Sequence, residues 1–161
     1  MKRMDFYHLL KPLTDKLYRT AFSLIPDDLQ AEQLVIDSLN AYLIKDKKHI
    51  LALGEIDSMA KKDLLLKRRQ AFKVILKYMG EIGVRRSTQL KDQMIRTRPV
   101  EFDAFYRLEP KVRLVLSLRY DLQFTAEEIE DIVGMPRYEV IEKLHNGRFL
   151  LTTTLNPSVT A

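Results

Sequence analysis

The sequence predicts an all-α protein made of two small helical domains. Apolar residues recur at spacings of three and four along nearly the whole chain, which is the period of helices that bury one face. With 5 glycines and 6 prolines the chain is poor in turn residues, which argues against a hairpin-rich all-β fold. The charge is divided unevenly: residues 1–100 carry 20 Lys and Arg against 12 Asp and Glu, a net +8, whereas residues 101–161 carry 7 against 10, a net −3. This step near residue 100 predicts a domain boundary.

The first domain is predicted over residues 1–86 and begins with two helices. One is expected from about Asp5 to Leu24, where Pro12 either bends the early turns or marks a later start. The second runs to about Leu43. Asp27, followed by Gln30 three residues later, has the arrangement of a capping box at its start, and Asp28 is the other candidate cap.

The remainder of the first domain is strongly basic. Residues 45–48 form a polar break, a less patterned stretch follows, and helical character returns from about Asp57 to Tyr78. Gly80 and Gly83 weaken a helix without necessarily ending it. This excess of positive charge indicates a polyanion such as nucleic acid, or simply a solvated helical surface.

Residues 87–100 show little apolar period and are predicted to be a linker. The second domain is predicted over 101–151 and a flexible tail over 152–161. Its four short helices are expected at 101–108, 110–120, 125–133 and 136–151. Eight apolar residues are expected in its core: Phe102, Phe105, Leu108, Leu114, Val115, Leu118, Ile129 and Ile132.

The last two helices have the pattern of a helix-turn-helix. Thr125 and Glu128 form a capping box, and Gly134 suits the left-handed backbone of a short turn. The following helix would bury Val140, Leu144, Gly147 and Leu151. An ordinary helical hairpin gives the same periodicity, so the pattern alone leaves both interpretations open.

Several functional classes are disfavoured by composition. Cysteine is absent, which excludes disulfides and thiolate chemistry and fits a reducing cytoplasm. The three histidines are isolated, so a metal site is not expected. We find no phosphate-cradling glycine loop, no nucleophile elbow, no apolar run long enough to span a membrane and no signal peptide.

Two parts of the chain resemble the bacterial extracytoplasmic-function (ECF) sigma factors. Residues 102–150 are similar to the family's fourth conserved region: a Leu-x-Pro opening, an aliphatic run ending in Leu118-Arg119-Tyr120, and the motif Thr125-x-Glu-Glu-Ile129. Residues 18–42 are similar to its second region, in which an Asp-containing turn precedes an Ala-Glu-x-Leu-Val helix. Residues 71–87, AFKVILKYMGEIGVRRS, resemble the helix of that region that holds the melted promoter strand.

The resemblance implies a sigma region-two-like helical bundle followed by a region-four-like helix-turn-helix domain. Such a protein binds core RNA polymerase and directs it to promoter DNA for transcription initiation, under control of an anti-sigma factor or another protein regulator. It performs no catalysis and needs no cofactor, because polymerase supplies the magnesium and the chemistry.

The resemblance also implies three sets of contact residues. Polymerase would be bound by Asp28, Glu32, Gln33, Asp37 and Asn40. Melted promoter DNA would be bound by Lys73, Lys77, Tyr78, Arg85 and Arg86. Duplex promoter DNA would be bound by Arg137, Tyr138, Glu142, Lys143, His145 and Arg148.

Departures from the family pattern keep other interpretations open. Tryptophan is absent, and the segment between Leu43 and Phe72 is longer than the family usually has. The second helix of the helix-turn-helix carries Glu139 and Glu142. Carboxylates repel the phosphates of DNA, but a Glu can also accept a hydrogen bond from the amino group of cytosine. The alternatives are a sigma-shaped interaction module, which binds an anti-sigma factor or polymerase without reading promoters, and a helix-turn-helix repressor. The residues of each contact set are also of the kind found on a helix face that only contacts solvent.

Overall fold

The computed structural model describes residues 8–52, 60–93 and 99–155, and the regular structure in these ranges is helical throughout. The predicted all-α class is therefore confirmed. No described helix is long and apolar enough to cross a membrane. The helices are α1 Thr14–Leu24, α2 Asp28–Lys45, α3 Lys47–Ala52, α4 Lys61–Gln89, α5 Asp103–Tyr106, α6 Pro110–Leu116, α7 Ala126–Val133 and α8 Arg137–Leu155.

Helices α1, α2 and α4 pack on one another and form the bulk of the N-terminal half, by which we mean residues 8–93. Pro12 lies in a 3-10 turn, Lys11–Leu13, which separates α-helical residues 8–10 from α1, which begins at Thr14. Asp27 caps α2 by accepting a hydrogen bond from the backbone N–H of Gln30 at 2.9 Å. These local signals fix where the first two helices start.

A glycine lets α4 approach α1 and α2 closely. A Cβ atom on Gly83 would lie 2.6 Å from Leu24 Cδ1 and 2.9 Å from Leu34 Cδ2, closer than carbon atoms pack. The helix continues through Gly80 and Gly83 to Gln89, past the stretch from about Asp57 to Tyr78 over which helical character was predicted. The close packing that the glycines allow stabilises the helix by more than their low helix propensity costs.

The C-terminal half, residues 99–155, is built around α6 and α8, and α7 packs against α8 across a short turn. Thr125 and Glu128 form the predicted capping box. Gly134 has φ of 67°, the left-handed conformation that glycine adopts without steric cost, and it ends α7. Val140, Leu144 and Gly147 of α8 are buried and Leu151 is half-buried.

The two halves are in contact, chiefly through α4 with α6 and α7 and through α1 with α6. The guanidinium of Arg113, 2% exposed, donates to the carbonyl oxygens of Ser23 and Leu24 at 2.9 and 3.0 Å and to Ser87 Oγ at 2.8 Å. Buried apolar side chains from both halves form one connected cluster. The ring centroids of Phe72 and Phe124 are 5.8 Å apart across this contact.

Other predictions differ from the structure in detail. Phe102 was expected in the core but is 58% exposed, because it ends a 3-10 turn, Val100–Phe102, that contributes no buried residue; the prediction for it is wrong. Six of the other seven core residues are buried and Phe105 is half-buried. Beyond Leu116 the chain forms a π turn, Ser117–Asp121, where one continuous helix was expected.

The predicted boundaries are only partly described. The linker predicted at 87–100 starts inside α4, and the flexible tail predicted at 152–161 starts inside α8, which reaches Leu155. The insertion predicted at 44–71 contributes α3 and the first turns of α4. Residues 5–7 of the first predicted helix, 53–59 of the insertion, 94–98 of the linker and 156–161 of the tail lie outside the described residues. The division into two independent domains stays a prediction.

Candidate functional site

Helix α2 exposes a stripe of large apolar side chains, which we call the α2 stripe: Leu29, Ile36 and Leu43. They are spaced by seven residues and are 77%, 50% and 37% exposed. Glu32, Gln33 and Asn40 of the predicted polymerase-binding set are exposed along the same helix. A spacing of seven places the three side chains along one line of the helix, as one of the two apolar positions of a coiled-coil heptad does.

The two aspartates of the predicted polymerase-binding set make contacts within the chain. Asp37 accepts from Gln33 Nε2 at 3.0 Å and pairs with Arg86 Nη2 of α4 at 2.6 Å. Asp28 accepts from the Tyr18 hydroxyl at 2.7 Å, and this hydrogen bond is the main reason the pKa of Tyr18 rises to about 12. Asp37 therefore helps to hold α2 against α4, while Asp28 ties α2 to α1.

Three of the five residues predicted to hold melted DNA are engaged by carboxylates of the chain itself. Lys73 Nζ lies 2.8 Å from Glu128 Oε2, and Arg86 pairs with Asp37. The Tyr78 hydroxyl donates to Asp46, which raises the pKa of Tyr78 to about 12. A phosphate would have to displace these carboxylates to reach the same side chains.

Glu128 joins the helix-turn-helix to α4. Its carboxylate accepts from Arg69 Nη2 at 2.7 Å as well as from Lys73, and it also accepts from the backbone N–H of Thr125 at 3.2 Å. Partial burial acts to raise the pKa of Glu128, but the hydrogen bonds from Lys73, Thr125 and Arg69 outweigh it and lower the pKa to about 2. Glu128 is thus a carboxylate at neutral pH, held by two cations of the other half.

Lys77 and Arg85, the other two residues of the set, line a cleft between α4 and the C-terminal half, which we call the junction cleft. Its volume is about 300 Å³. Lys111 from α6 and Glu81 from α4 also line it, and its apolar wall includes Leu114, Ile132, Val133 and Met135. The structure therefore brings Lys77 and Arg85 together with a lysine that the sequence did not single out.

The outward ridge of α8 is formed by residues spaced by four, three and four: Tyr138, Glu142, His145 and Phe149. All four are exposed, Tyr138 by 72% and Phe149 by 59%. No Lys or Arg thus stands on this ridge, the part of the helix that would enter a DNA groove. Ile141, 52% exposed, adds apolar surface beside this α8 ridge.

The basic residues predicted to bind duplex DNA lie to the sides of the α8 ridge. Arg137 makes loose ion pairs with Glu127 at 3.8 Å and Glu130 at 3.5 Å on α7. Lys143 is half-buried, and Arg148 lines an apolar groove against α6. Residues 125–148 carry six carboxylates against three basic side chains, so a phosphate backbone would meet a net negative surface.

Sequence reasoning missed three residues that organise these surfaces. Arg69 pairs with Glu128 and lies 4.8 Å from the Phe124 ring centroid, and Asp121 pairs with Arg19 at 3.0 Å. Neither has a local signal, because the partners are distant in sequence. Arg113 did carry one: a single charge inside the aliphatic run VRLVL indicates a buried, fully hydrogen-bonded side chain.

No group of three or more His, Asp or Glu that could hold a metal ion occurs in residues 8–52, 60–93 and 99–155. The chain matches no protein-family model, and no curated protein is significantly similar to it in sequence. Function must therefore be argued from the three surfaces described above: the α2 stripe, the junction cleft and the α8 ridge.

Proposed function

We propose that this protein is an ECF sigma factor-like protein that binds core RNA polymerase through α2 and directs it to promoter DNA for transcription initiation. The observation that carries the proposal is the α2 stripe. Isolated exposed leucines are common on protein surfaces, but three large apolar side chains at a spacing of seven on one open face are not. The ECF resemblance independently assigns this helix to polymerase docking.

The chemistry of the stripe fits a helical partner. Leu29, Ile36 and Leu43 would pack between the side chains of a facing helix, as in a coiled coil. Glu32, Gln33 and Asn40 lie beside them and would fix the register through hydrogen bonds and charge. Polymerase offers such a partner in the coiled coil of its clamp, to which the ECF resemblance assigns this docking.

The basic face of α4 supports the nucleic-acid part of the proposal. Lys77 is exposed, and neither it nor the exposed Arg85 forms an ion pair with a described carboxylate. Such unpaired cations are suited to the phosphates of a single strand. Lys73 and Arg86 would join them after exchanging Glu128 and Asp37 for phosphate.

The test is binding to purified core polymerase, followed by run-off transcription on genomic promoter fragments. Ile36→Asp places a charge in the α2 stripe and should weaken polymerase binding at least tenfold. Leu66→Asp is the matched control, because Leu66 is a similarly exposed residue on α4, outside the stripe. Asp37 is a poor site for this test, because its replacement would also break the ion pair to Arg86 within the protein. Equal affinity of the Ile36→Asp variant and the parent would contradict docking through α2.

A second candidate function, a sigma-shaped interaction module that docks without reading promoters, is favoured by the α8 ridge. Its exposed Tyr138 and Phe149 with Glu142 between them resemble a protein-binding surface more than a groove reader. Such a module binds an anti-sigma factor or polymerase, and the two candidates differ in whether α8 reads promoter DNA.

Glu142→Gln separates the two candidates when it is assayed on duplex promoter fragments and on scrambled duplex DNA. Base reading predicts an altered preference at one position, because the amide no longer accepts in the same way from a cytosine amino group. A uniform rise in affinity for all DNA shows that the carboxylate only repels phosphate, and favours the interaction module. Glu101→Gln is the matched control, since it removes an exposed carboxylate outside the helix-turn-helix.

A further inference from the structure

A row of basic side chains runs along α4 at a spacing of four: Arg69, Lys73 and Lys77. The C-terminal half supplies a counter-ion for the first two, because Glu128 accepts from Arg69 at 2.7 Å and from Lys73 at 2.8 Å. A carboxylate is the side-chain group closest in charge and hydrogen bonding to a phosphate. This end of the row is therefore an anion site that the protein fills with its own side chain.

The other end of the row lacks such a counter-ion. Lys77 and Arg85 line the junction cleft with Lys111, and none of the three forms an ion pair with a carboxylate among the described residues. Glu81 is the one acidic residue among the described lining residues, which leaves an excess of positive charge around the cleft. Like charges gathered around a cleft repel each other and are stabilised when an anion binds between them.

The wall of the junction cleft is apolar. Leu114 and Met135 from the C-terminal half and Gly80 from α4 line it, together with Ile132 and Val133. Its volume of about 300 Å³ lies at the small end of ligand-binding pockets and fits a ligand the size of one nucleotide. An apolar wall beside a cationic rim suits a flat base attached to a phosphate.

We infer that the junction cleft binds one nucleotide unit, with its phosphate among Lys77, Arg85 and Lys111 and its base against the apolar wall. The unit comes either from a free nucleotide or from a single strand lying along α4. The inference goes beyond the proposed function, because Lys111 and most of the apolar wall belong to the C-terminal half, which the proposed strand contact of α4 does not use.

The experiment is an NMR titration of the intact chain at about 50 mM salt with three probes: inorganic phosphate, thymidine monophosphate and a six-residue oligothymidylate. We expect the amides of residues 80–85 and 132–135 to shift with both nucleotide probes. Arg85→Gln and Lys111→Gln should each weaken binding about tenfold, the effect of losing one charged hydrogen bond. Lys48→Gln, an exposed lysine of α3, should leave binding unchanged, and circular dichroism checks that each variant keeps its helical content.

The two nucleotide probes show whether the bound nucleotide unit belongs to a single strand or to a free nucleotide, and either result supports the inference. Oligothymidylate that binds more than tenfold tighter than the mononucleotide identifies a strand, and comparable affinities identify a free nucleotide. Three results overturn the inference: no shifts at the cleft, inorganic phosphate binding as tightly as the mononucleotide, or unchanged binding in the Lys111→Gln variant. If Arg85→Gln weakens binding and Lys111→Gln does not, the nucleotide contacts α4 but does not occupy the junction cleft. Polymerase docking is tested separately with a variant of α2, so a failure of the proposed function can be distinguished from a failure of this inference.

Discussion

At the scale of single residues, Arg113 shows how one buried cation joins the two halves. Its guanidinium donates to the carbonyl oxygens of Ser23 and Leu24 in the N-terminal half and of Leu108 in the C-terminal half. Each carbonyl is itself removed from water, so the side chain satisfies acceptors that would otherwise be costly. These carbonyl dipoles stabilise the buried charge.

Replacing Arg113 with Met should therefore destabilise the protein by about 3–5 kcal/mol, because several buried acceptors lose their donors at once. Urea unfolding followed by circular dichroism measures the change. Arg107→Met is the control: the Arg107 side chain is 69% exposed and makes a surface ion pair with Asp103, so its removal should cost under about 0.5 kcal/mol. A loss below about 1 kcal/mol for Arg113→Met would show that water replaces the guanidinium.

Glu128 predicts a specific loss of stability in acid. Its folded pKa of about 2 lies below the ordinary value of 4.5 for a Glu side chain, so its contribution is fully present above about pH 4.5 and is lost as the pH falls through 2. The shift corresponds to at most about 3 kcal/mol, an upper figure because Arg69 is half exposed. Glu128→Gln keeps the capping box but removes the charge, so the variant should lack this part of the pH dependence.

Urea unfolding between pH 2 and 7 measures this difference. Glu127→Gln is the matched control, since Glu127 is the adjacent residue, is 77% exposed and has only a distant partner in Arg137. Parallel stability curves for the Glu128→Gln variant and the parent would contradict the role given to Arg69 and Lys73.

The residues that sequence predicted best are those whose signal is local. The N-cap at Asp27, the capping box at Thr125 and the left-handed Gly134 depend on neighbours within four positions, and all three are confirmed. Arg19 and Asp121 are 102 residues apart, and no local pattern relates them. Phe102 was assigned to the core from its hydrophobicity alone, which does not reveal that its turn contributes nothing to the bundle.

At the scale of the elements, close helix packing explains why α4 is longer than its sequence suggests. Each glycine costs up to about 1 kcal/mol of helix propensity relative to alanine, which weakens a helix at these positions. Propensity omits the space that Gly83 provides for Leu24 and Leu34. Contact with α1 and α2 therefore favours a helix that runs on through Gly83.

Gly83→Ala should destabilise the protein by about 1–2 kcal/mol. The overpacking cost of about 1–3 kcal/mol exceeds the gain of up to about 1 kcal/mol in helix propensity, because the new Cβ would lie 2.6 Å from Leu24 Cδ1. Gly80→Ala is the matched control on the same helix: its Cβ would meet only the end of Leu114, at 3.0 Å, and the two terms should nearly cancel. Equal urea midpoints for the two variants would contradict the packing explanation.

At the scale of the whole molecule, the halves carry opposite net charge and meet through specific contacts. The sequence predicted the charge step near residue 100, with +8 before it and −3 after it. It could not predict that Glu128 would meet Arg69 and Lys73, or that Phe72 would lie beside Phe124, because these pairings depend on how the halves pack. This difference in net charge, which predicted a domain boundary, also attracts the two halves to each other.

The final prediction concerns the chain after cleavage between the halves. Trypsin should cut after Arg96, in the predicted linker, whereas Arg98 precedes proline and resists cleavage. Because Arg113, Glu128 and the Phe72–Phe124 contact hold the halves together, the two fragments should elute as one species in size-exclusion chromatography at about 10 μM, corresponding to a dissociation constant in the micromolar range or below. The same digest of the Arg113→Met variant should give two separate fragments, since the attraction between unlike net charges alone is screened at 0.15 M salt. Separate fragments from the parent chain would instead favour two independent domains, with the junction cleft present only while the linker is intact.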